Sequence, residues 1–162
     1  MILALDVQYG AAFTQAAAVG FEAWSSSSPC LETTARREGA AAPYEPGAFW
    51  KRELPVLLAL LGEIRAPRSV LVIDGYCTLG RRHLGLGAHL HAATGTPVVG
   101  VAKTRFAGAD AVEVRRGGST QPLYITASGM NESCAADAIR SMHGPYRLPT
   151  LLKHADTLTR TT

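Results

Sequence analysis

The chain has 162 residues, 47% apolar and 18% charged; this is the profile of one globular domain (1–162) that buries a core without disulfide staples, and it excludes a disordered segment. A formal charge of +3 at pH 7 permits an anionic partner without requiring one. No run approaches the roughly 18 apolar residues of a membrane helix, MILALDVQYG lacks the basic leader of a secretion signal, and Cys30, Cys77 and Cys134 form no metal or redox spacing. A soluble, cytoplasmic protein with no membrane partner is therefore expected.

In chain order, Ile2–Leu5 is a short, continuously apolar run, which predicts a strand covered on both faces. Residues 14–24 (TQAAAVGFEAW) read as a second strand or as a helix, because alanine serves both. Residues 25–42 look like a loop. Residues 47–64 predict a helix with an apolar face through Phe49, Leu54, Leu57, Leu58 and Leu61; Pro55 should kink it or start a new segment. Val70–Ile73 predicts a buried strand, residues 82–93 a helix, and Pro97–Val101 and Leu123–Thr126 two more strands, with a loop over 117–122. Residues 131–142 predict a helix capped by an Asn or Ser side chain. The sum is α/β: a mixed sheet flanked by helices.

Asp6 directly follows ILAL and Asp74 directly follows VLVI. Neighbouring strands lie about 4.8 Å apart, so parallel pairing of these two would bring both carboxylates to the strand ends, where open α/β sheets hold their ligands. Two close carboxylates favour a cation, and Mg²⁺ is typically held by one or two protein carboxylates with phosphate oxygens and waters. A plain turn cap is the competing reading for each aspartate. Glu53 (in WKREL) and Asp156 (in KHADTL) read locally as solvated helix residues. Lys103 follows PVVGVA and could hold a phosphate at the same edge, or merely face solvent. Tyr44, stiffened by Pro43 and Pro46, suits a wedge into a base stack, although a turn before a helix accounts for the same residues. Basic pairs, including Arg36-Arg37 and Lys51-Arg52, could follow a phosphate backbone or solvate a surface. His89 and His91, two apart on a helix, are no metal pair.

Five blocks taken together resemble the endonuclease V family of deoxyinosine 3′ endonucleases, with a ribonuclease H-like fold: ALDVQYG, PYEPG with Arg52-Glu53, DGYCTLGRRHLGLGAHL from Asp74, PVVGVAKTRF from Pro97, and YRLPTLLKHAD from Tyr146. The resemblance implies a Mg²⁺-dependent nuclease, Mn²⁺ able to substitute, that hydrolyses a phosphodiester near inosine and leaves a 3′-hydroxyl. It implies catalytic Asp6, Glu53, Asp74, Lys103 and Asp156, with Asp6, Asp74 and Glu53 on the metal. It makes Tyr44 the wedge, in its Pro46-Gly47 loop, and places Gly75, Arg82, His83 and His89 on the substrate side. The partners implied are single- or double-stranded DNA or RNA containing inosine, and a monomer is expected.

The chain departs from the family pattern at Gly80, where a histidine is expected, at Arg81 for a proline, at His83 for an arginine, and at Met130 for a second histidine. Slow cutting is the expectation, with Gly80→His raising the rate unless Gly80 needs a positive φ; His83 is the rival imidazole. Two other readings compete: a relative that binds inosine-containing nucleic acid without cutting, and a phospho-accepting receiver module, which also has an Asp after strand one and a Lys after a late strand.

Overall fold

The structure, a computed structural model, describes residues 1–81 and 83–161. One seven-stranded sheet runs through it, in the order β3-β2-β1-β4-β5-β7-β6. The strands are β1 (Ile2–Tyr9), β2 (Phe13–Phe21), β3 (Leu31–Glu38), β4 (Val70–Asp74), β5 (Val98–Ala102), β6 (Val112–Val114) and β7 (Leu123–Ser128). The helices are α1 (Trp50–Glu63), α2 (Leu86–Thr94), α3 (Glu132–Ser141) and α4 (Thr150–Leu158). β1, β2 and β3 form an antiparallel meander, β1-β4 and β4-β5 pair in parallel, and β5-β7-β6 is antiparallel again. A receiver's sheet is wholly parallel, so the meander removes that reading.

Side chains alternate across a strand, and here the alternation sorts the core into two layers. Leu3, Leu5, Leu71 and Ile73 pack with α1 and α2 through Val56, Leu57, Leu60 and Leu90. Ile2, Ala4, Val72, Val99 and Val101 pack with α3 and α4 through Ala136, Ile139, Leu151 and Ala155. The continuous apolar runs of β1, β4 and β5 are therefore the mark of strands covered on both faces.

The ambiguous segment 14–24 is a strand, β2, with Ala16, Ala17 and Ala18 fully buried. Pro55 lies inside α1 and does not divide it. The expected helix at 82–93 begins later, at Leu86 after Gly85. Asn131 caps α3 as expected, its Oδ1 accepting from the N–H groups of Ser133 and Cys134 at 2.9 and 3.1 Å. The expectation of a loop over 25–42 is corrected: β3 occupies Leu31–Glu38 within it. As the outermost strand it is half-covered at best, so its polar sequence hid it.

Beyond α3 the chain is tied down by Arg116, only 8% exposed. Its guanidinium donates to the main-chain oxygens of Met142, Gly144, Tyr146 and Arg147, at 2.5 to 3.3 Å. Those bonds satisfy the carbonyls that follow α3 and fix where α4 starts.

Candidate active site

The alternation that sorts the core also places the charges. Asp6 continues the Ile2-Ala4 face, Asp74 the Val72 face and Lys103 the Val99-Val101 face, so all three point toward α4 at one end of the parallel strands. They line a small pocket together with Leu148, Leu152 and Asp156. Lys103 Nζ donates to Asp74 Oδ2 at 2.8 Å. Asp156 is held by Lys153 and Arg160, at 2.6 and 2.8 Å; the bond from Lys153 foremost keeps its carboxyl below the usual range.

Glu53 arrives from the opposite layer. It sits in the first turn of α1 and accepts from the Tyr9 hydroxyl at 2.9 Å. Burial first, then the nearby charges of Asp6 and Asp74, push its carboxyl up to about 7 despite that bond. Burial and then the charge of Asp74 push Asp6 up to about 6. Three acids from two layers thus repel one another at one sheet edge, a donor set of hard carboxylate oxygens that suits a divalent cation in kind. Among the described residues no three His, Cys, Asp or Glu side chains are already gathered closely enough to hold an ion, and Asp74 is engaged by Lys103.

Asp74 also borders a second, larger cleft of about 760 Å³, lined by Tyr44, Gly47, Phe49, Glu53, Gly75 and Phe106 among others. Tyr44 is 66% exposed at its rim. A Cβ added at Gly75 would meet nothing within 4 Å, but the φ of +129° there is one that favours glycine. The loop after β4 is held by close approach: a Cβ on Gly100 would stand 2.6 Å from the Gly75 carbonyl oxygen, and Cys77 N–H donates to Thr126 Oγ1 at 2.8 Å. Tyr76 pins the far wall, donating to the Thr104 carbonyl and accepting from Phe106 N–H at 2.7 and 3.0 Å.

Pro46, His83 and His89 line neither the acid pocket nor the aromatic cleft. His89 stacks on Trp50, ring centroids 3.7 Å apart, joining α2 to α1. Pro46 is exposed in the Tyr44 loop. His83 is exposed, its carbonyl accepting from Leu79 N–H at 2.8 Å. Arg82 lies outside the described residues. Local reading missed Tyr9, Phe49 and Phe106; parity could have found the first, because Tyr9 is odd-numbered like Leu3 and Leu5 and so faces α1.

The proviso on Gly80 decides its case. Its φ is +112°, and a Cβ there would stand 2.9 Å from the Gly108 carbonyl oxygen. The expected gain from Gly80→His is therefore withdrawn. That substitution should cost about 1–3 kcal/mol of backbone strain and speed nothing; a thermal melt and a cleavage rate on G80H check this, and a faster variant of unchanged stability would contradict it. His83 is the imidazole left to this loop.

A parallel centre flanked by antiparallel strands, with acids at the strand ends and helices on both faces, defines a ribonuclease H-like α/β domain. The chain belongs to the endonuclease V family: the family model Endonuclease V matches residues 1–144. Endonuclease V of Streptomyces coelicolor is 33% identical over 141 residues, covering 73% of this chain and 60% of that protein. The chain therefore spans about three-fifths of the length of that curated relative. The crystal structure of Endonuclease V from Streptomyces avermitilis superposes with a TM-score of 0.82 at 29% identity, over 98% of this chain and 79% of that one. Endonuclease V of Ciona intestinalis, solved with a 24mer DNA containing an inosine followed by a ribo-adenosine, shares the fold at a TM-score of 0.82 and 17% identity, over 98% and 83% of the two chains.

Proposed function

We propose that residues 1–162 act as one domain, a Mg²⁺-dependent endonuclease that hydrolyses nucleic-acid strands near deoxyinosine or inosine and leaves a 3′-hydroxyl. The observation that carries this reading is the convergence of Asp6, Asp74 and Lys103 on one face of the strand ends, with Asp74 shared between the acid cavity and the aromatic cleft. Membership of the endonuclease V family supports it, as does the inosine-containing DNA bound by the Ciona relative.

Asp6, Asp74 and Glu53 would hold the cation, Mg²⁺ or Mn²⁺ in its place, which supplies charge neutralisation at the phosphate and leaving oxygen. Glu53, reaching the acids from the first turn of α1, is suited to help orient the attacking water. Lys103 neutralises charge on the phosphate once it leaves Asp74, and Asp156 bounds the site from α4. Gly75 leaves the aromatic cleft open for a flipped base, with Gly47 and Pro46 shaping the Tyr44 loop. The substrate is DNA or RNA, single- or double-stranded, and the protein works as a cytoplasmic monomer; among the described residues no helix is long and apolar enough to cross a membrane.

The test is cleavage of a deoxyinosine oligonucleotide, and of its inosine RNA counterpart, with Mg²⁺ and with EDTA. Mg²⁺-dependent cutting that spares the adenine control is the expected result. Binding without cutting would convert the protein into a recognition module, and neither would refute the reading. Tyr44 gives an independent check. As a wedge, Tyr44→Ala should weaken binding to inosine-containing strands by about 1–3 kcal/mol, the scale of base–aromatic stacking, with less effect on undamaged DNA. Equal loss on both in an anisotropy titration would reduce Tyr44 to a part of its loop.

A further inference from the structure

The loop that carries Tyr44 has a depression on each side. One is the aromatic cleft bordered by Glu53. The other, about 790 Å³, is bounded by Arg37 at the end of β3, the main chain of 39–42, and Lys51 and Arg52 on α1. It contains no aromatic side chain among its lining residues. Glu38 also lines it, but Arg36 Nε engages that carboxylate at 2.8 Å. Lys51 is held by Glu45 at 2.6 Å.

The two remaining cations are not held by a carboxylate contact of this kind, although the charge of Arg52 is felt at Glu53. Among the described residues no ion pair involves Arg37 or Arg52. Arg52 lies with its guanidinium 4.5 Å from the Tyr9 ring centroid, and its buried Nε has no hydrogen-bond partner. A buried donor left unmade is costly, and a planar guanidinium matches the oxygens of a phosphate. Arg37 stands across the same groove, exposed and on a different layer of the fold.

We infer that this groove carries the phosphodiester backbone of the nucleic acid on the side of Tyr44 away from the aromatic cleft. The inference rests on the proposed function. A wedge that opens a base stack needs the strand held on both sides of the opening, or the opening simply slides. The acids and Lys103 hold the side where the cut is made; Arg37 and Arg52, with Lys51 at the rim, hold the other. The lining offers charge and main chain but no stacking surface, so it takes backbone and reads no base.

The experiment uses the full chain, a duplex with a central inosine, and binding measured against salt for wild type, R37Q and R37K. Each phosphate contact contributes roughly 0.9 to the slope of log K on log salt for duplex DNA. R37Q should lower the slope by about that amount, and R37K should keep it. The difference between R37Q and wild type should vanish when the duplex is trimmed on one side of the inosine and persist when trimmed on the other. An unchanged slope in R37Q, or a loss indifferent to trimming, would overturn the strand path while leaving inosine cleavage standing. Inorganic phosphate bound by wild type and lost in R37Q, with oligonucleotide binding unaltered, would make the groove a small-anion site and also overturn it. Wild type that neither binds nor cuts inosine strands would sink the underlying function.

Discussion

Asp74→Asn should abolish Mg²⁺-dependent cleavage and leave the fold intact. Among the described residues Asp74 is the one shared by the acid cavity and the aromatic cleft, and its carboxylate is exposed at the end of β4. Nothing in the core depends on its charge: Val72 and Ile73 anchor the strand from within the two layers, and the pair with Lys103 is half-exposed on both sides, where ion pairs contribute little to stability. The amide keeps the shape and loses the charge that the cation and Lys103 both answer to. Removing a single stabiliser of developing charge typically costs about 10²–10³-fold, and losing a metal ligand should cost at least that. Single-turnover cleavage at saturating Mg²⁺, beside a thermal melt, gives the answer; near-normal cutting by a folded D74N would remove Asp74 from the catalytic set.

Acidification should stabilise the cation-free protein between pH 7.5 and 5, the reverse of ordinary acid denaturation. The sign follows from Glu53 and Asp6. Both carboxyls bind protons more tightly folded than unfolded, at about 7 against an ordinary 4.5 for Glu53 and at about 6 against 3.8 for Asp6. A raised acid favours the folded state fully below its unfolded value, and that contribution is lost as pH climbs through the interval to the folded value. Asp156, shifted the other way, loses its contribution only on acidification below its ordinary value and does not oppose the trend in this window. At roughly 1.4 kcal/mol for each tenfold change in proton affinity, the displacement of Glu53 alone corresponds to about 3–4 kcal/mol. Coupling among the acids makes about 1–2 kcal/mol the working expectation, or a melting point higher by about 2–8 °C for a chain of this size. Glu53→Gln should raise the pH 7.5 melting point in EDTA and flatten the pH trend, because Gln still accepts from Tyr9 without the charge. Circular-dichroism melts in EDTA at several pH values test this; a wild type that melts lower at pH 5 than at pH 7.5 would show that the acids are better solvated than their burial implies.

How much of this could be read from the chain depends on whether the cause is local. β1, β4, β5 and β7 were legible because strands covered on both faces cannot avoid continuous apolar runs. Asp6, Asp74 and Lys103 were legible for the same reason, as the first charges after those runs. β3 was not, because an outermost strand needs few apolar residues and LETTARRE has few. Locally Glu53 is an ordinary solvated helix acid; its burial exists only because α1 packs on one face of the sheet and its first turn meets Tyr9. The obstacle at Gly80 is the carbonyl of Gly108, twenty-eight positions away, which no local pattern announces. The role of Asp156 came into view through the motif alone, and α4 was not anticipated, since nine residues with two charges carry a weak helical signature.

β3 has a consequence for how copies of this protein meet. An exposed strand edge is a template for another chain's backbone, and a flat apolar one invites runaway stacking. Here one border of the sheet carries Glu32, Arg36, Arg37 and Glu38 on its outermost strand, and the opposite border is a three-residue strand. The first repels a neighbour's main chain with desolvation cost and charge; the second is too brief to nucleate a ladder. The sheet thus has two borders that discourage self-recruitment, and the strand that guards one of them is the same strand that carries Arg37, so the colloidal dispersal of the protein and the inferred grip on a polyanion draw on one set of side chains.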